Sequence, residues 1–248
     1  MYNLCMNEKY KRTFTLTNNL FDTTDRLKLS SVLDLSQEIS GNHADVLGCG
    51  FNEFIAKKYI WVITRNYIEF LKPIQYMKSI TLETYPTKQR FVEYPREVKF
   101  YDEKGELLCV SKSIWMVLNL NDFAVETPAL FDGLDLDSIE PYFEGRVRKL
   151  PIESREKLNF LKEVEVTYSM LDHNGHMNNT HYLDWFLDIY KTQNIKTVQV
   201  EYVKQSFLGD KLWLYGLKNG NLISLYGYRQ DELRFYMQVR IEDLVNEN

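Results

Sequence analysis

Five consecutive positions, Asp172 to His176, combine a carboxylate, an amide and two imidazoles, which are side chains that transfer protons and bind oxyanions. Three of the four histidines in the chain lie between residues 168 and 182. A strongly apolar, helix-like stretch follows, and backbone N–H groups at the start of a helix bind developing negative charge. Because polar groups are costly to bury without partners, this cluster beside an apolar helix indicates chemistry at the helix start.

A structural interpretation of the same cluster stays open, because Asp, Asn and Gly before a helix are also ordinary turn and cap residues. His173 is expected to face away from the turn and His181 to lie on the helix, so neither is assigned a catalytic role. Asn178 and Asn179 are expected to cap the helix and brace the loop.

The composition argues against several classes of protein. Apolar residues make up 44% of the 248, and the 17 Tyr and 14 Phe favour strands. A net charge of −5 provides no basic field for nucleic acid. Cys5, Cys49 and Cys109 lack metal-ligand spacing, so we expect free thiols in a reducing cytoplasm and neither a metal nor a cofactor. No apolar run is long enough to span a membrane, and we find no signal-peptide core.

The first half of the chain predicts one long helix followed by an antiparallel run of strands. Ser31 and Asp34 form a candidate capping box for this helix, and Gly48 is expected to end it. His43, on the helix, is interpreted as a packed or hydrogen-bonded residue. Strands are predicted at Lys11–Thr17, Ile60–Phe70, Ser79–Tyr85, Glu93–Tyr101 and Leu107–Leu118.

The second half repeats this order. A helix from about Asn179 to Tyr190 is apolar almost all round, so we expect a sheet to wrap it. Strands are predicted at Val164–Tyr168, Thr197–Val203, Lys211–Leu217, Leu222–Tyr228 and Leu233–Ile241. Residues 126–158 lose clear periodicity and are predicted to be a linker. The whole pattern predicts an α+β protein with two domains, 1–125 and 159–248.

On these residues the chain resembles the acyl-acyl-carrier-protein (acyl-ACP) thioesterases of plants and bacteria. The segment Leu171 to Asn179 looks like that family's Asp-x-Asn-x-His-x-Asn-Asn segment. Asp172 to Tyr182 is similar to the Asp-x-x-Gly-His-x-Asn-Asn-x-x-Tyr pattern of hotdog thioesterases at large. Further similar segments in the first half are Gln37, Asn42-His43-Ala44, Gly48, Trp61–Arg65, Gly105-Glu106 and Ser113–Trp115. The resemblance runs over roughly residues 9–240 and is more specific than one short motif.

The resemblance implies two tandem hotdog domains, each an antiparallel sheet wrapped around a central helix. It also implies hydrolysis of acyl-ACP, which releases free fatty acid and terminates fatty-acid synthesis, with an acyl-pocket half followed by a catalytic half. The chain departs from the family at one place. Where a Glu usually stands, followed in plants by a Cys, it has Gln205 and Ser206. A Gln cannot take a proton from water, and a Ser without a base beside it does not easily replace a thiol nucleophile.

Four residues are assigned to this reaction, namely Asp172, Asn174, His176 and Gln205. Asp172, the only carboxylate of the segment, is expected to activate water or to attack directly. Asn174 is expected to hold the water or the thioester oxygen, and His176 to donate to the oxyanion or protonate the leaving thiolate. Gln205 would position the water or Asn174. Backbone N–H groups at the start of the Asn179 helix complete the predicted oxyanion site.

Other functions stay open: an acyl-CoA thioesterase of the same fold, a non-catalytic acyl-thioester-binding protein, and a hotdog dehydratase. The predicted partner is an acyl carrier protein that carries a fatty acyl chain. Because carrier protein is acidic, a local basic patch is expected, with candidates Lys57, Lys58, Arg65 and Arg146–Lys149. The location is expected to be cytoplasmic, and a homodimer is left open. The acyl chain length does not follow from the sequence.

Overall fold

The computed structural model describes residues 9–128, 136, 139–192 and 194–242. The chain divides into two compact units: unit 1 comprises Met1–Thr64 and Leu71–Arg146, and unit 2 comprises Arg65–Phe70 and Val147–Asn248. The division after Arg146 falls inside the segment 126–158 that the sequence pattern predicts to be a linker. Within the described ranges, no helix is long and apolar enough to cross a membrane.

Unit 1 combines an antiparallel sheet with helix α1 (Leu29–Val46) and the shorter helix α2 (Phe51–Ala56). Strands β1, β3, β4 and β5 pair antiparallel in that order, β2 lies beside β5, and the short β6 pairs with the far end of β5. These strands are β1 (Tyr10–Thr15), β2 (Tyr59–Phe70), β3 (Ser79–Pro86), β4 (Tyr94–Tyr101), β5 (Leu107–Asn119) and β6 (Val125–Glu126).

Helix α1 buries one stripe of side chains against the sheet. Val32, Leu35, Ile39 and His43 follow one another at three- or four-residue spacing, and all four are buried. The helix contacts β1, β3 and β4. Polar residues interrupt this apolar stripe, since the hydroxyl of Ser36 lies 3.0 Å from that of Ser111 on β5. Unit 1 therefore carries hydrogen-bonded polar groups in its interior.

The predicted start of α1 is wrong. The helix begins at Leu29, two residues before the predicted capping box, and no side chain caps it. Instead, the Ser31 hydroxyl donates to the carbonyl of Leu20 at 3.0 Å and ties the helix to the preceding turn. The predicted end is right, because Gly48 adopts φ +69 directly after the last turn.

Unit 2 repeats the arrangement with one helix, α3 (His181–Tyr190). Its strands pair antiparallel in the order β8, β11, β10, β9 and β7, and Arg65–Glu69 of β2 pair with the free side of β8. They are β7 (Asn159–Glu165), β8 (Ile195–Tyr202), β9 (Lys211–Asn219), β10 (Leu222–Arg229) and β11 (Glu232–Ile241). The α+β prediction is confirmed, and nine of the ten predicted strands lie within about two residues of an observed one.

Aromatic side chains hold α3 against its sheet. The Tyr182 ring lies 4.4 Å from that of Phe235 on β11, and Trp185 contacts the same phenylalanine at 6.1 Å. The C-terminal end of α3 comes so close to β9 that a Cβ at Gly216 would lie 2.1 Å from the Tyr190 hydroxyl. A larger residue at position 216 would therefore require the Tyr190 and Leu161 side chains to move.

Buried charges fasten the segment between the repeats to each unit. In unit 1, the fully buried Glu97 accepts hydrogen bonds from Lys112 (3.0 Å), from the Tyr85 hydroxyl (2.8 Å) and from the backbone N–H groups of Tyr142 (2.7 Å) and Phe143 (3.3 Å). Burial and the neighbouring Glu97 raise the pKa of Tyr85, so this hydroxyl remains a donor.

In unit 2, Glu201 fastens the end of the same segment. It accepts from the backbone N–H of Leu150 (3.2 Å), from Gln199 (2.8 Å) and from Arg65 (3.3 Å). Because the Arg65 side chain is only 1% exposed and pairs with this carboxylate, the prediction that Arg65 belongs to a surface patch is wrong. Its second contact, to the carbonyl of Val147 (3.0 Å), is also internal.

Replacing Glu97 by Gln is expected to lower the free energy of unfolding by about 3 kcal/mol or more, because Lys112 would stay buried without a carboxylate. Glu106→Gln is the matched control, since Glu106 pairs with Lys72 at the exposed surface. Its loss should cost less than about 1 kcal/mol. Urea denaturation followed by circular dichroism measures both variants, and equal losses would contradict the anchoring role of Glu97.

Candidate active site

Asp172 lies in a tight turn between Leu171 and Met177, which form a bridge to each other. The backbone N–H of Asp172 donates to the carbonyl of His176 at 2.8 Å, and Gly175 turns the chain with φ +78. The Oδ1 atom of Asp172 accepts from the backbone N–H groups of Asn174 (2.8 Å) and His176 (3.1 Å). The half-buried carboxylate thus caps its own turn.

The turn is attached to the segment that follows β8. His176 forms a backbone bridge with Phe207, and the rings of these two residues meet edge to face at 5.0 Å. The N–H of Met177 donates to the carbonyl of Ser206 at 2.8 Å. Gln205 directly precedes this pairing, so the fold brings its backbone next to the Asp172 turn.

The two amide side chains of the predicted site are exposed. Neither the Asn174 amide nor the Gln205 amide makes a hydrogen bond with any described residue. Gln205 is held through its backbone, since its carbonyl accepts from Nη1 of the buried Arg234 at 2.6 Å. The predicted contact between Gln205 and Asn174 is therefore not formed in this structure.

The start of α3 does not supply the predicted oxyanion site in full. Helix α3 begins at His181. The backbone N–H of Thr180 donates to the side-chain oxygen of Asn178 at 3.2 Å, and the backbone N–H of His181 donates to the carbonyl of Asn178 at 3.1 Å. These two N–H groups are therefore already hydrogen-bonded and are not free to bind an oxyanion. The prediction that the helix start completes the oxyanion site is wrong for both of them. The N-cap residue of α3 is Thr180 and no side chain caps the helix, so the prediction that Asn178 and Asn179 cap it is wrong. Asn178 instead closes a turn directly before the helix.

Buried hydroxyl groups lie beneath the turn, and sequence reasoning missed them. The Tyr182 hydroxyl donates to Ser206 at 3.1 Å, and the Tyr202 hydroxyl donates to the carbonyl of Asn179 at 3.2 Å. Burial raises the pKa of both tyrosines, so both remain protonated donors. Ser206 is fully buried and accepts the hydrogen bond from Tyr182, which argues against a role as a nucleophile. The only sequence signal for the network was the final Tyr of the motif.

The remaining histidines match the structural roles predicted for them. His173 is exposed on the turn, and Nδ1 of His181 lies 2.9 Å from a carboxylate oxygen of Asp184 on the same helix. His43, in unit 1, is fully buried and lies 2.9 Å from Nη1 of Arg96. Across the described residues, no three His, Cys, Asp or Glu side chains are arranged to hold a metal ion.

Unit 1 contains a second copy of the capped turn. Asp22 Oδ1 accepts from the backbone N–H groups of Thr24 (2.7 Å) and Arg26 (3.1 Å), and the Asp22 N–H donates to the carbonyl of Arg26 at 2.8 Å. Arg26 bridges Gln75 as His176 bridges Phe207, and Asp25 takes φ +59 where the other turn has glycine. The carboxylate cap is therefore common to both units.

The side chains beside the cap differ between the two turns. Thr24 occupies the position of Asn174, and Arg26 occupies that of His176. Only the turn in unit 2 combines the carboxylate with an amide and an imidazole that can exchange a proton near neutral pH. The two turns therefore share the cap and differ in the side chains beside it.

Two family models match the chain. The one described as acyl-ACP thioesterase N-terminal domain covers residues 7–126, and the one described as acyl-ACP thioesterase C-terminal domain covers residues 153–243. Together they cover most of the chain, and both halves of the predicted resemblance are confirmed.

Plant relatives match at low identity. The chloroplastic palmitoyl-acyl carrier protein thioesterase of Arabidopsis thaliana is 26% identical over 218 residues, which are 79% of this chain and 52% of the relative. The chloroplastic oleoyl-acyl carrier protein thioesterase 1 of the same plant is 23% identical over 219 residues, 79% of this chain and 60% of the relative. The chain thus spans about half the length of the palmitoyl relative.

Solved structures share the fold. An acyl-ACP thioesterase from Bacteroides thetaiotaomicron aligns with a TM-score of 0.86 and 22% identity, over 95% of this chain and 98% of that one. The 12:0-ACP thioesterase from Umbellularia californica aligns with a TM-score of 0.80 and 16% identity, over 94% and 97% of the two chains. These alignments confirm the predicted tandem hotdog fold.

The Asp22 turn is expected to contribute stability that depends on pH. Burial opposes ionisation of Asp22, but hydrogen bonds from the Thr24 hydroxyl and two backbone N–H groups, with the charge of Arg26, hold the pKa of this carboxyl below its ordinary value of 3.8. A lowered folded-state pKa gives stability that is complete above the unfolded value and is lost as the pH falls through the folded value.

The free energy of unfolding of Asp22→Asn should therefore lie below that of the wild type at pH 6 and approach it as the pH falls below 3.8. Asp25→Asn, in the same turn and exposed, is the matched control, because its carboxylate caps no N–H group. Urea denaturation between pH 2 and 6 measures the difference, and a gap that persists unchanged at low pH would contradict the charged cap.

Proposed function

Because the chain belongs to the acyl-ACP thioesterase family, we propose that it hydrolyses the thioester of acyl-ACP, which releases free fatty acid and ends chain growth. One observation carries this proposal for unit 2: the Asp172 turn holds a carboxylate, an amide and an imidazole together, whereas the matching turn of unit 1 keeps only the carboxylate. The exposed apolar side chains of Phe207 and Leu208, next to His176, offer a surface for a thioester substrate.

Asp172 is the proposed base or nucleophile. Its Oδ1 atom accepts two backbone N–H groups, which fix the plane of the carboxylate and leave Oδ2 for the reaction. Through Oδ2, the carboxylate either takes a proton from the attacking water or attacks the thioester carbon itself. Direct attack expels the thiolate and forms a mixed anhydride with Asp172, and water that hydrolyses this anhydride at the Asp172 carbonyl leaves its oxygen in Asp172. Oxygen-18 in Asp172 after a single turnover in enriched water would therefore show direct attack, because the water-activation route places the label only in the fatty acid.

The neighbouring side chains complete the proposed site. His176, whose ring is steadied against Phe207, donates to the oxyanion or gives a proton to the leaving thiolate. Asn174, being exposed and without a partner in the described part of the chain, is available to orient the water or the thioester oxygen. Gln205 lacks a basic oxygen, so its part is limited to positioning the water.

We infer that acidic carrier protein docks on exposed basic side chains. With Arg65 excluded by burial, Lys57 and Lys58 remain exposed in unit 1, and Arg148 and Lys149 in unit 2. Arg146 is half exposed but already pairs with Glu93 at 2.9 Å. Opposite charge on a carrier protein accelerates encounter and lowers KM, whereas it leaves the chemical step unchanged.

A cytoplasmic location belongs to the same proposal. Cys49 and Cys109 are buried free thiols, and burial raises the pKa of Cys49 to about 11, which keeps its thiol protonated and unreactive. Such thiols suit a reducing compartment.

Hydrolysis of matched acyl-ACP and acyl-CoA thioesters, followed by release of free thiol across chain lengths, tests the function. Asp172→Asn is expected to lower kcat about 100-fold or more, because the amide oxygen can still accept both backbone N–H groups but cannot take a proton. Asp22→Asn makes the same change in the turn of unit 1 and is expected to keep kcat within about twofold.

Each outcome of this comparison has a definite meaning. Full activity in Asp172→Asn would show that the assigned base is wrong, and equal losses in both variants would show that the turn acts through stability alone. A preference for CoA would replace the carrier-protein substrate with acyl-CoA. If the wild type binds the thioester but releases no thiol, the result would support the non-catalytic alternative. Gln205 suggests that alternative, because it stands where the family usually has a Glu.

Charge reversal tests the docking surface. Lys57→Glu with Lys58→Glu, and separately Arg148→Glu with Lys149→Glu, should each raise KM for acyl-ACP at least about threefold at low salt and change kcat little. The increase should shrink as salt screens the charges. Lys218→Glu, an exposed lysine outside the predicted patch, is the control. An unchanged KM in both double variants would refute the patch.

A further inference from the structure

Arg234, on β11 of unit 2, is a buried cation that contacts both a carboxylate and the candidate site. Its side chain is 7% exposed, and Nη2 lies 2.9 Å from Oε2 of Glu232. Glu232 also accepts from Nζ of Lys204, and this hydrogen bond, with the charge of Arg234, lowers the pKa of Glu232. Glu232 is therefore ionised at neutral pH and balances the guanidinium. The other terminal nitrogen, Nη1, donates to the backbone carbonyl of Gln205 at 2.6 Å.

The backbone of Arg234 is attached to the same stretch of chain. Strand β8 ends at Tyr202, opposite Phe235 of β11. Beyond that pair, the Arg234 carbonyl accepts from the backbone N–H groups of Val203 (2.9 Å) and Lys204 (3.0 Å). Together with the contact from Nη1, one residue thus fixes three consecutive positions directly after the strand.

Gln205 lies between this attachment and the Asp172 turn. The carbonyl of the next residue, Ser206, accepts from the backbone N–H of Met177, which ends the turn. Because a peptide bond is planar, a hydrogen bond to the Gln205 carbonyl also fixes the plane of the Ser206 N–H. The Arg234 side chain therefore determines how the chain passes from β8 to the turn, and so where the Gln205 side chain begins.

The contacts of Arg234 leave one donor unsatisfied. Its Nε is buried and makes no hydrogen bond within the part of the chain that the structure describes. A buried donor without a partner costs free energy, so stability alone does not favour this arrangement. Local rules of this kind are broken mainly at functional sites, where the orientation of a group matters more than its contribution to stability. The planar guanidinium suits such a task, because contacts through two of its nitrogens fix the plane of the whole group.

We propose that Arg234 is a positioning residue for the reaction of unit 2. It holds the Gln205 carbonyl and thereby sets the distance between the Gln205 side chain and the Asp172 carboxylate. In this assignment Arg234 touches no reacting atom and acts only through Gln205. The role rests on the proposed function, whereas the attachment of the segment by Arg234 does not, so the two can fail separately.

A double-mutant cycle with Gln205 tests this role by thiol release from acyl-ACP. Arg234→Met should lower kcat at least about tenfold and change KM less than about twofold, because a misplaced group slows the chemical step without weakening substrate binding. Gln205→Ala should lower kcat to a similar extent. In the Gln205→Ala background, Arg234→Met should cost less than a further factor of about two, because the residue through which it acts is already gone. Arg234→Lys, which keeps the charge and one donor, should recover part of the activity.

Arg155→Met is the control for lost stability. Arg155 contacts Asp231 and the Tyr215 hydroxyl of the same unit, so its removal should lower Tm and leave kcat within about twofold. Losses of kcat that multiply in the double variant of Arg234 and Gln205 would overturn the proposal. An unchanged kcat in Gln205→Ala would also overturn it, because Arg234 would then have no residue to act through.

Amide hydrogen exchange separates the attachment from the reaction. Without the Arg234 side chain the acceptor on Ser206 is no longer held, so the Met177 N–H should exchange at least about tenfold faster in Arg234→Met than in the wild type. Arg155→Met should show the wild-type rate. Unchanged exchange of Met177 in Arg234→Met would overturn the attachment and the role with it.

Failure of the proposed function gives a different result. If the wild type releases no thiol from any acyl thioester, the role of Arg234 in the reaction fails with that function, whereas faster exchange in Arg234→Met would still establish the attachment. If Arg234→Met does not fold, Arg234→Lys takes its place in both measurements. Its partial loss of kcat should then disappear in the Gln205→Ala background, and persistence of that loss would overturn the proposal.

Discussion

A carboxylate that caps its own turn organises each unit of this protein. In unit 2 the cap at Asp172 closes the turn before α3, and the same turn pairs with the segment after β8. In unit 1 the cap at Asp22 closes the turn before α1. A capped turn has its backbone N–H groups satisfied, so it can stand at the edge of a sheet and still hold a fixed shape. The positions of the helix start and of the neighbouring side chains follow from that shape.

The repetition of this cap changes how Asp172 is understood. If the aspartate were needed for chemistry alone, the unit that carries Thr24 and Arg26 beside it would have no physical reason to keep one. The carboxylate therefore has a structural task in both units, and the chemical task that we propose for Asp172 is an addition to it. The two tasks are compatible, because capping uses Oδ1 and the proposed reaction would use Oδ2.

Much of the fold could be predicted from the sequence, since alternation of apolar residues located nearly all of the strands and helical spacing located α1 and α3. Predictions failed where a residue's partner is distant in the chain. Serine is a residue type that often caps helices, but Ser31 donates to the carbonyl of Leu20. Arginine usually lies at the surface, but Arg65 is buried and pairs with Glu201. For the candidate site, the motif located the turn, but it did not reveal the Tyr182–Ser206 contact. Such pairings depend on packing that no local pattern encodes.

The buried charges divide into two groups with different consequences. Glu97 and Glu201 accept backbone N–H groups from the stretch between the repeats, and each is balanced by a cation, Lys112 or Arg65, so they fasten a segment whose sequence resembles a loose linker. Arg96 contacts His43 and the Thr84 hydroxyl, and no carboxylate of the described residues pairs with it. A buried charge that is paired and hydrogen-bonded recovers part of its desolvation cost, whereas a buried charge without a counter-ion does not. The same physical rule thus separates the buried charges that fasten the segment between the repeats from a buried charge that opposes folding.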